Sequence, residues 1–304
     1  MRSNPSPEII NTYIIKSYEV NVFLLLHPHV TLLMLTKMRI SELPDFLKDS
    51  LSCARFILFN NPGTEEQYRH SFGGSGFFVT FNKTIYFITA NHCVEARSHD
   101  DLYVPADQTL KDRTVVDFDF TFRSKCDDGD NTDQNDLRIY RTNLAEMPGS
   151  TRAKLIPFNL QRTLATSNCI GLEAVVLGYP FSYRSIDYER MTISGSPRVF
   201  YGKVLGPDHS QRNIFIVTRE IDGPVIDDPN GLSGSPVFVI RPWMIQPQLY
   251  LAGMVLRGGT GVSKIDGIDC STLRVISSNV IVGALKRLES SVLEANNKGL
   301  ARPP

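Results

Sequence analysis

Three short segments of this sequence carry side chains able to do nucleophilic chemistry together. His92 stands in Thr89-Ala90-Asn91-His92-Cys93, at the end of the apolar run 85–90. Asp136 lies in Asn135-Asp136-Leu137-Arg138-Ile139, where an acid opens an alternating stretch. Ser233 lies in Gly231-Leu232-Ser233-Gly234-Ser235-Pro236, a glycine-rich turn leading into the apolar run 237–240. A serine hydroxyl is a poor nucleophile at neutral pH. It needs a base within hydrogen-bond reach, and that base needs a partner to fix its tautomer and stabilise the imidazolium. His92 is the type of residue that takes the serine proton and returns it to a leaving amine. Asp136 would accept the other imidazole N–H. The glycines of the turn permit positive φ, so the N–H groups of Gly231 and Ser233 can converge on one point as an oxyanion hole. Losing one such donor typically costs about 10²–10³ in rate.

Taken singly, each residue has a plainer reading: a packed or capping histidine, a turn aspartate, an ordinary β-turn. Their order, His then Asp then Ser, excludes two other arrangements. An α/β-hydrolase runs Ser, acid, His, yet no histidine follows Ser233, since His209 is the last. The turn also lacks the second glycine of G-x-S-x-G. A subtilisin-type order needs its aspartate before the histidine, and Asp45 and Asp49 lie in no strand-end context.

TANHC, NDLRIY and GLSGSP resemble the three signature segments of the trypsin/chymotrypsin-like serine peptidases, in that family's order. Gly73-Gly74-Ser75-Gly76-Phe77-Phe78 resembles the family's strand preceding the histidine strand, and residues 251–259 resemble the strand that receives the substrate backbone. The resemblance covers roughly residues 54–288, and its motif forms look most like bacterial members. It implies two antiparallel six-stranded β-barrels with a C-terminal helix and a site in the cleft between them. It also implies a serine endopeptidase acting through an acyl-enzyme intermediate on a polypeptide substrate, with no metal and no cofactor. The alternative is a catalytically weak peptidase-fold module that binds peptides or partner proteins.

The sequence departs from the family pattern in places. Leu232 stands where zymogen-type members carry an aspartate that pairs with a freed N-terminal amine, so activation of that sort is not expected. Phe72 stands where secreted members often carry the partner of the cysteine after the histidine, so Cys93 is expected as a buried free thiol. Asp227, six residues before Ser233, occupies the position of the primary-pocket floor in trypsin-like members and would favour Arg or Lys before the cut. Gly258 resembles the glycine that keeps the pocket mouth open. Leu256 to Gly258 would pair with substrate as an added strand, and Arg257 replaces a usual aromatic.

These residues need a scaffold, and the pattern around them reads as many short strands broken by Gly, Asn, Asp and Pro. Strands are expected at 76–80, 85–89, 115–122, 137–141, 173–177, 199–205, 213–219, 236–240, 249–256 and 272–277, with a hairpin turn at Phe81-Asn82-Lys83-Thr84. Long helices between strands are missing, which argues against a parallel βαβ sheet and for barrels or sandwiches. The stretch 40–59 reads as helical at first, with Leu43, Phe46, Leu47 and Leu51 at helical spacing over 40–51, while its second half is a candidate first strand; residues 278–296 have helical periodicity as well. The predicted organisation is an N-terminal extension at 1–50, a first barrel at 51–157, a second at 158–277, and a helix and tail at 278–304. The acidic run 127–136 lacks the glycine and glutamate an EF-hand requires and is expected as a solvated loop.

Lys plus Arg equals Asp plus Glu at 32 each, so charge gives no sign of nucleic acid as a partner. The five cysteines include no CxxC pair, which suits a reducing, cytoplasmic compartment over a disulfide scaffold. The apolar stretch 20–36 is interrupted by His27, Pro28 and His29 and is too short to span a bilayer cleanly. A membrane partner is therefore not expected, although a secreted or anchored form stays open. A regulatory protein partner fits a peptidase that works inside a cell.

Overall fold

The structure is a computed structural model. It describes residues 48, 50–61, 70–107, 115–123, 133, 135–189, 192–208, 211–219, 230–241, 248–265 and 268–297. The chain first builds β1 (Ala54–Asn60), β2 (His70–Phe81), β3 (Thr84–Thr89), β4 (Leu102–Tyr103), β5 (Phe118–Arg123), β6 (Arg138–Thr142) and β7 (Phe158–Asn159). There follow β8 (Glu173–Gly178), β9 (Arg184–Asp187), β10 (Thr192–Gly195), β11 (Arg198–Asp208), β12 (Gln211–Arg219), β13 (Pro236–Ile240), β14 (Leu249–Ile265) and β15 (Ile268–Ser277). A helix, α1 (Ser278–Asn297), ends the described chain.

The second sheet closes into a barrel of order β11-β12-β15-β14-β13-β8. The first does not close among the described residues. Its path runs β4-β1-β2-β3-β6-β5, with β7 lying parallel on β2, seven strands where six in a closed barrel were expected. A physical reason sits at one edge. Past Tyr103 the chain meets Pro105, which makes a single bridge to Val115 and has no N–H with which to extend the ladder.

Side chains alternate across each strand, and here both faces are apolar. Phe77, Val79, Tyr86, Ile88 and Ile139 enter one buried cluster, while their neighbours Phe78, Phe87 and Tyr140 enter another. Burial on both faces explains why 77–79 in β2 and 85–88 in β3 read as unbroken apolar runs. In the barrel, Val176, Phe200, Phe215, Val237, Val255 and Val275 face inward from six different strands. The outward residues Leu177, Phe238, Met254, Leu256 and Ile276 join the first sheet and α1 in one shared core. That core presses the two sheets together, and the sequence-predicted site lies along their junction.

α1 begins where expected. Ser278 donates its hydroxyl to Leu164 O at 2.9 Å, and Asn279 N–H donates to Ser277 Oγ at 3.3 Å. Ile281, Ala284, Leu285 and Leu288 form its buried stripe, each large side chain contributing roughly 1.5–3 kcal/mol. The predicted hairpin turn forms with Asn82 at φ 46° and Lys83 at φ 68°, the left-handed pair that a two-residue hairpin demands. Asn82 Nδ2 then donates to Glu289 Oε2 at 2.6 Å, tying this turn to the helix. Among the described residues no helix is long and apolar enough to cross a membrane. The stretch 20–36 lies outside the described residues, as does most of the expected helix at 40–51.

Phe238 packs its ring against Phe158 with centroids 4.9 Å apart, at the join of the two sheets. Phe238→Ala is expected to lower unfolding free energy by about 3–5 kcal/mol, measured by urea denaturation.

Candidate active site

β3 runs out at Thr89, and residues Asn91–Cys93 form one 3-10 turn beyond it. Buried Asn91 anchors this turn. Its N–H donates to Asp136 O at 3.2 Å, its Nδ2 to Glu95 Oε2 at 2.7 Å, and its Oδ1 accepts from Arg138 Nε at 3.2 Å. Asp136, at the entrance to β6, then has both carboxylate oxygens engaged by one residue. Oδ1 accepts the His92 backbone N–H at 2.8 Å, and Oδ2 lies 2.6 Å from His92 Nδ1. The carboxylate therefore fixes both the place of the histidine and the tilt of its ring. Asp136 is buried, while the His92 side chain keeps 40% of its surface, so the ring has one side held and the other open. The hydrogen bond to Asp136 first, and a hydrogen bond to Cys93 second, hold the imidazole pKa well above its usual range. Burial opposes them and is outweighed.

The Gly231–Ser235 turn is shaped by backbone conformations only glycine takes easily. Gly231 has φ +90° and Gly234 φ +86°, and a Cβ on Gly234 would collide with Ser75 O. Three hydrogen bonds set the direction of its peptide planes. Phe181 N–H donates to Asn230 O at 2.9 Å, and Ser235 N–H donates to Leu232 O at 2.9 Å. A trans peptide points its N–H opposite to its C=O, so the N–H groups of Gly231 and Ser233 are both turned away from these partners. Ser75 Oγ donates to Gly231 O at 2.7 Å, fixing the next peptide. Among the described residues neither of the two N–H groups has a protein acceptor. This is the arrangement an oxyanion hole requires.

Strand β2 joins the turn to the histidine. Ser75 N–H donates to Ser233 O at 2.7 Å, Thr89 Oγ1 donates to Ser75 O at 2.7 Å, and Ser75 Oγ accepts from Tyr179 N at 3.0 Å. Cys93 Sγ, next in sequence to His92, lies 3.6 Å from Ser233 O. Gly74 is what allows that approach, since a Cβ there would come within 2.7 Å of Ser233 O. Cys93 is a free thiol as expected, but half-buried rather than buried.

The other sequence-predicted residues are placed unevenly. Leu256 is fully buried in the core shared by the sheets, at a register shift between Val255 and Arg257. Gly258 pairs with Leu273. β13 pairs with β14 only as far as Met254, so among the described residues the edge carrying Leu256 to Gly258 has no strand beside it on that side. Asp227 lies outside the described residues. Leu232 packs fully buried in the barrel interior.

One group of site residues was missed by sequence reasoning. Asp133, in the run expected to be solvated, is buried and takes Arg257 Nη2 at 2.8 Å and Arg274 Nη1 at 3.2 Å. Arg274 also reaches Asp208 at 3.1 Å. Asp133 O accepts the Asp136 N–H at 3.3 Å, so this ion network ties the aspartate loop of the first sheet to two strands of the barrel. The replacement of an aromatic by Arg257 was visible in the sequence, but its acidic partner was one of several in a row.

No family model and no curated protein matches this sequence. Solved structures do. A scabies mite protease paralogue described as inactivated aligns with a TM-score of 0.50 and 14% identity, over 84% of this chain and 98% of its own. The chain has the chymotrypsin-like serine protease fold. Two other structures with it are the protease Anisep from Arthrobacter nicotinovorans and mouse neuropsin, a serine protease expressed in the limbic system. Anisep has 16% identity over 74% of this chain and 90% of its own, with a TM-score of 0.46. Neuropsin has 14% identity over 75% and 91%, with a TM-score of 0.46.

Removing the Asp133 charge leaves Arg257 and Arg274 facing each other without it. Both are partly in water, so the cost is expected below the 3–5 kcal/mol of a fully buried pair, at about 1–3 kcal/mol for Asp133→Asn. Chemical denaturation in low and high salt measures it, and the difference should shrink in high salt.

Proposed function

We propose that this protein is a serine endopeptidase, with Ser233 as nucleophile, His92 as general base and then acid, and Asp136 as the group that orients and stabilises the imidazolium. The observation that carries the reading is the double hold of Asp136 on His92, 2.8 Å to its backbone and 2.6 Å to its ring. No packing requirement asks a buried carboxylate to grip both ends of an exposed histidine. In this mechanism Ser233 Oγ attacks the scissile carbonyl as His92 accepts its proton. The N–H groups of Gly231 and Ser233 take up the charge that develops on the carbonyl oxygen. His92 then protonates the leaving amine, and water hydrolyses the acyl-enzyme. The open backbone edge at Leu256 to Gly258 supports binding of the peptide as an added strand.

The preference for Arg or Lys before the cut rests on Asp227 alone. Free thiols at Cys53, Cys93 and Cys169 support a reducing compartment such as the cytoplasm. A second reading, a peptide-binding module with weak turnover, draws on the raised His92 pKa, because an imidazolium cannot accept a proton.

A fluorophosphonate probe should label wild type at Ser233 and leave Ser233→Ala unlabelled. The same variant should lose about 10⁴–10⁶ of peptide turnover. Equal processing of a diverse peptide library by both proteins rules the enzyme out. Profiling Asp227→Ala with that library should abolish any preference for Arg or Lys, and an unchanged profile removes Asp227 from the pocket.

Only neutral imidazole accepts the serine proton, and the Asp136 hydrogen bond raises the pKa of His92. Turnover should therefore rise with pH along a limb centred above the ordinary histidine value of about 6.5. Asp136→Asn should move that limb to lower pH and cut turnover about 10⁴-fold. A wild-type limb centred below 6.5 contradicts this.

A further inference from the structure

Under the Gly231–Ser233 turn lies a buried cation that meets no acid among the described residues. Arg184, the first residue of β9, is 9% exposed, and no carboxylate among the described residues pairs with it. Its guanidinium instead serves carbonyls from three parts of the chain. Nη1 donates to Gly73 O on β2, while Nη2 donates to Tyr179 O and to Gly231 O, the last at 2.9 Å. Phe181 lies under the cation at 4.8 Å and Phe72 at 5.5 Å. Its Nε is buried and meets no acceptor among the described residues. Burial pulls the arginine down to about 9, which still leaves it a cation at neutral pH.

Such a group is expensive to keep. Removing a cation from water costs several kcal/mol, and an apolar side chain of similar length would pack there more cheaply. What the guanidinium supplies is direction. Gly231 has no Cβ, so its peptides can turn over at little cost, and the turn is useful for acyl transfer only with the Gly231 N–H facing outward. Leu232, fully apolar and buried in the barrel, offers no charge to anchor the turn from within.

We propose that Arg184 is the positioning residue of the oxyanion turn: by holding Gly231 O, Tyr179 O and Gly73 O on one fork, it keeps the Gly231 and Ser233 N–H groups presented to substrate. Ser75 Oγ shares the load at Gly231 O, 2.7 Å away. Phe181 N–H, in the same segment as Arg184, fixes Asn230 O, so the stretch 179–184 acts as the floor of the turn. The anchor is internal and charged at neutral pH, so assembly of the hole needs no newly freed chain end. The inference rests on the serine peptidase reading.

The test compares wild type, Arg184→Lys and Arg184→Met, full-length, by the rate of fluorophosphonate labelling and by hydrolysis of 4-nitrophenyl acetate. Loss of one oxyanion donor predicts labelling about 10²–10³-fold slower in Arg184→Met. Its kcat for the ester should fall by a similar factor while KM holds, since the turn acts on the transition state and not on ground-state binding. Arg184→Lys keeps the charge but loses the planar fork, and its rate should fall between the two. A folded Arg184→Met that labels at the wild-type rate overturns the proposal. So does an equal loss in kcat and gain in KM, the mark of a pocket that has merely loosened. If Arg184→Met does not fold, Arg184→Lys decides alone, and a wild-type rate there overturns the proposal. Wild type that takes no label at Ser233 fails at the peptidase reading itself, whatever the variants do.

Discussion

The junction between the two sheets must satisfy a set of backbone carbonyls and N–H groups that neither sheet can pair by itself, and Ser75 is where that is done. Its N–H serves Ser233 O, its carbonyl takes Thr89 Oγ1, and its hydroxyl donates to Gly231 O while accepting from Tyr179 N. An unpaired buried polar group costs about 1–3 kcal/mol, so the three bonds that cross to Ser233, Gly231 and Tyr179 penalise any sliding of one sheet on the other. The apolar core at the same junction supplies attraction but little direction, because hydrophobic contact is not directional. Direction comes from the polar contacts, and they converge on the serine turn.

Histidine and serine then occupy opposite banks with different kinds of support. His92, which gains and loses a proton itself, is held by a carboxylate, while the turn is held by peptide hydrogen bonds and a guanidinium that stays a cation at neutral pH. Protonation of His92 therefore changes the charge of the imidazole without disturbing the bonds that hold the turn. The Asp133 network adds a third tie, from the aspartate loop to the strand edge beside the turn. Among the described residues that edge is also the one without a strand beside it past Met254, so the loop that holds His92 and the open edge share an anchor.

The sequence carried this architecture unevenly. Strands with strong runs, such as 85–89 and 236–240, were legible because apolar length and bounding turns are local properties, and the Asn82-Lys83 turn was legible from the conformations those residues accept. The hairpin β9–β10 was not predicted. It is short, half-exposed and weakly patterned, and Arg184 looks in one dimension like any surface arginine. Asp133 was hidden in the same way: among several acids in a row, only the fold selects the one that meets two arginines. The chemistry of His92, Asp136 and Ser233 was easier to suspect, since those residue types have few cheaper explanations in that order. Seven strands in the first sheet in place of six could not be seen, since β4 and β7 span two residues each.

A fold of this kind does not by itself imply turnover, so the weight falls on features that a merely binding protein has no use for. A peptide-binding cleft needs an open strand edge and some apolar pockets. It does not need a carboxylate withdrawn from water to fix the ring of an exposed histidine. Nor does it need two glycines held at positive φ beneath outward-facing N–H groups, or a buried arginine that pairs with no acid among the described residues. Each of these is unfavourable taken alone, and each stands within the same junction. Local rules broken together in one place mark a junction whose geometry is held at a cost in stability, and here the broken rules stand beside or beneath His92 and the serine turn.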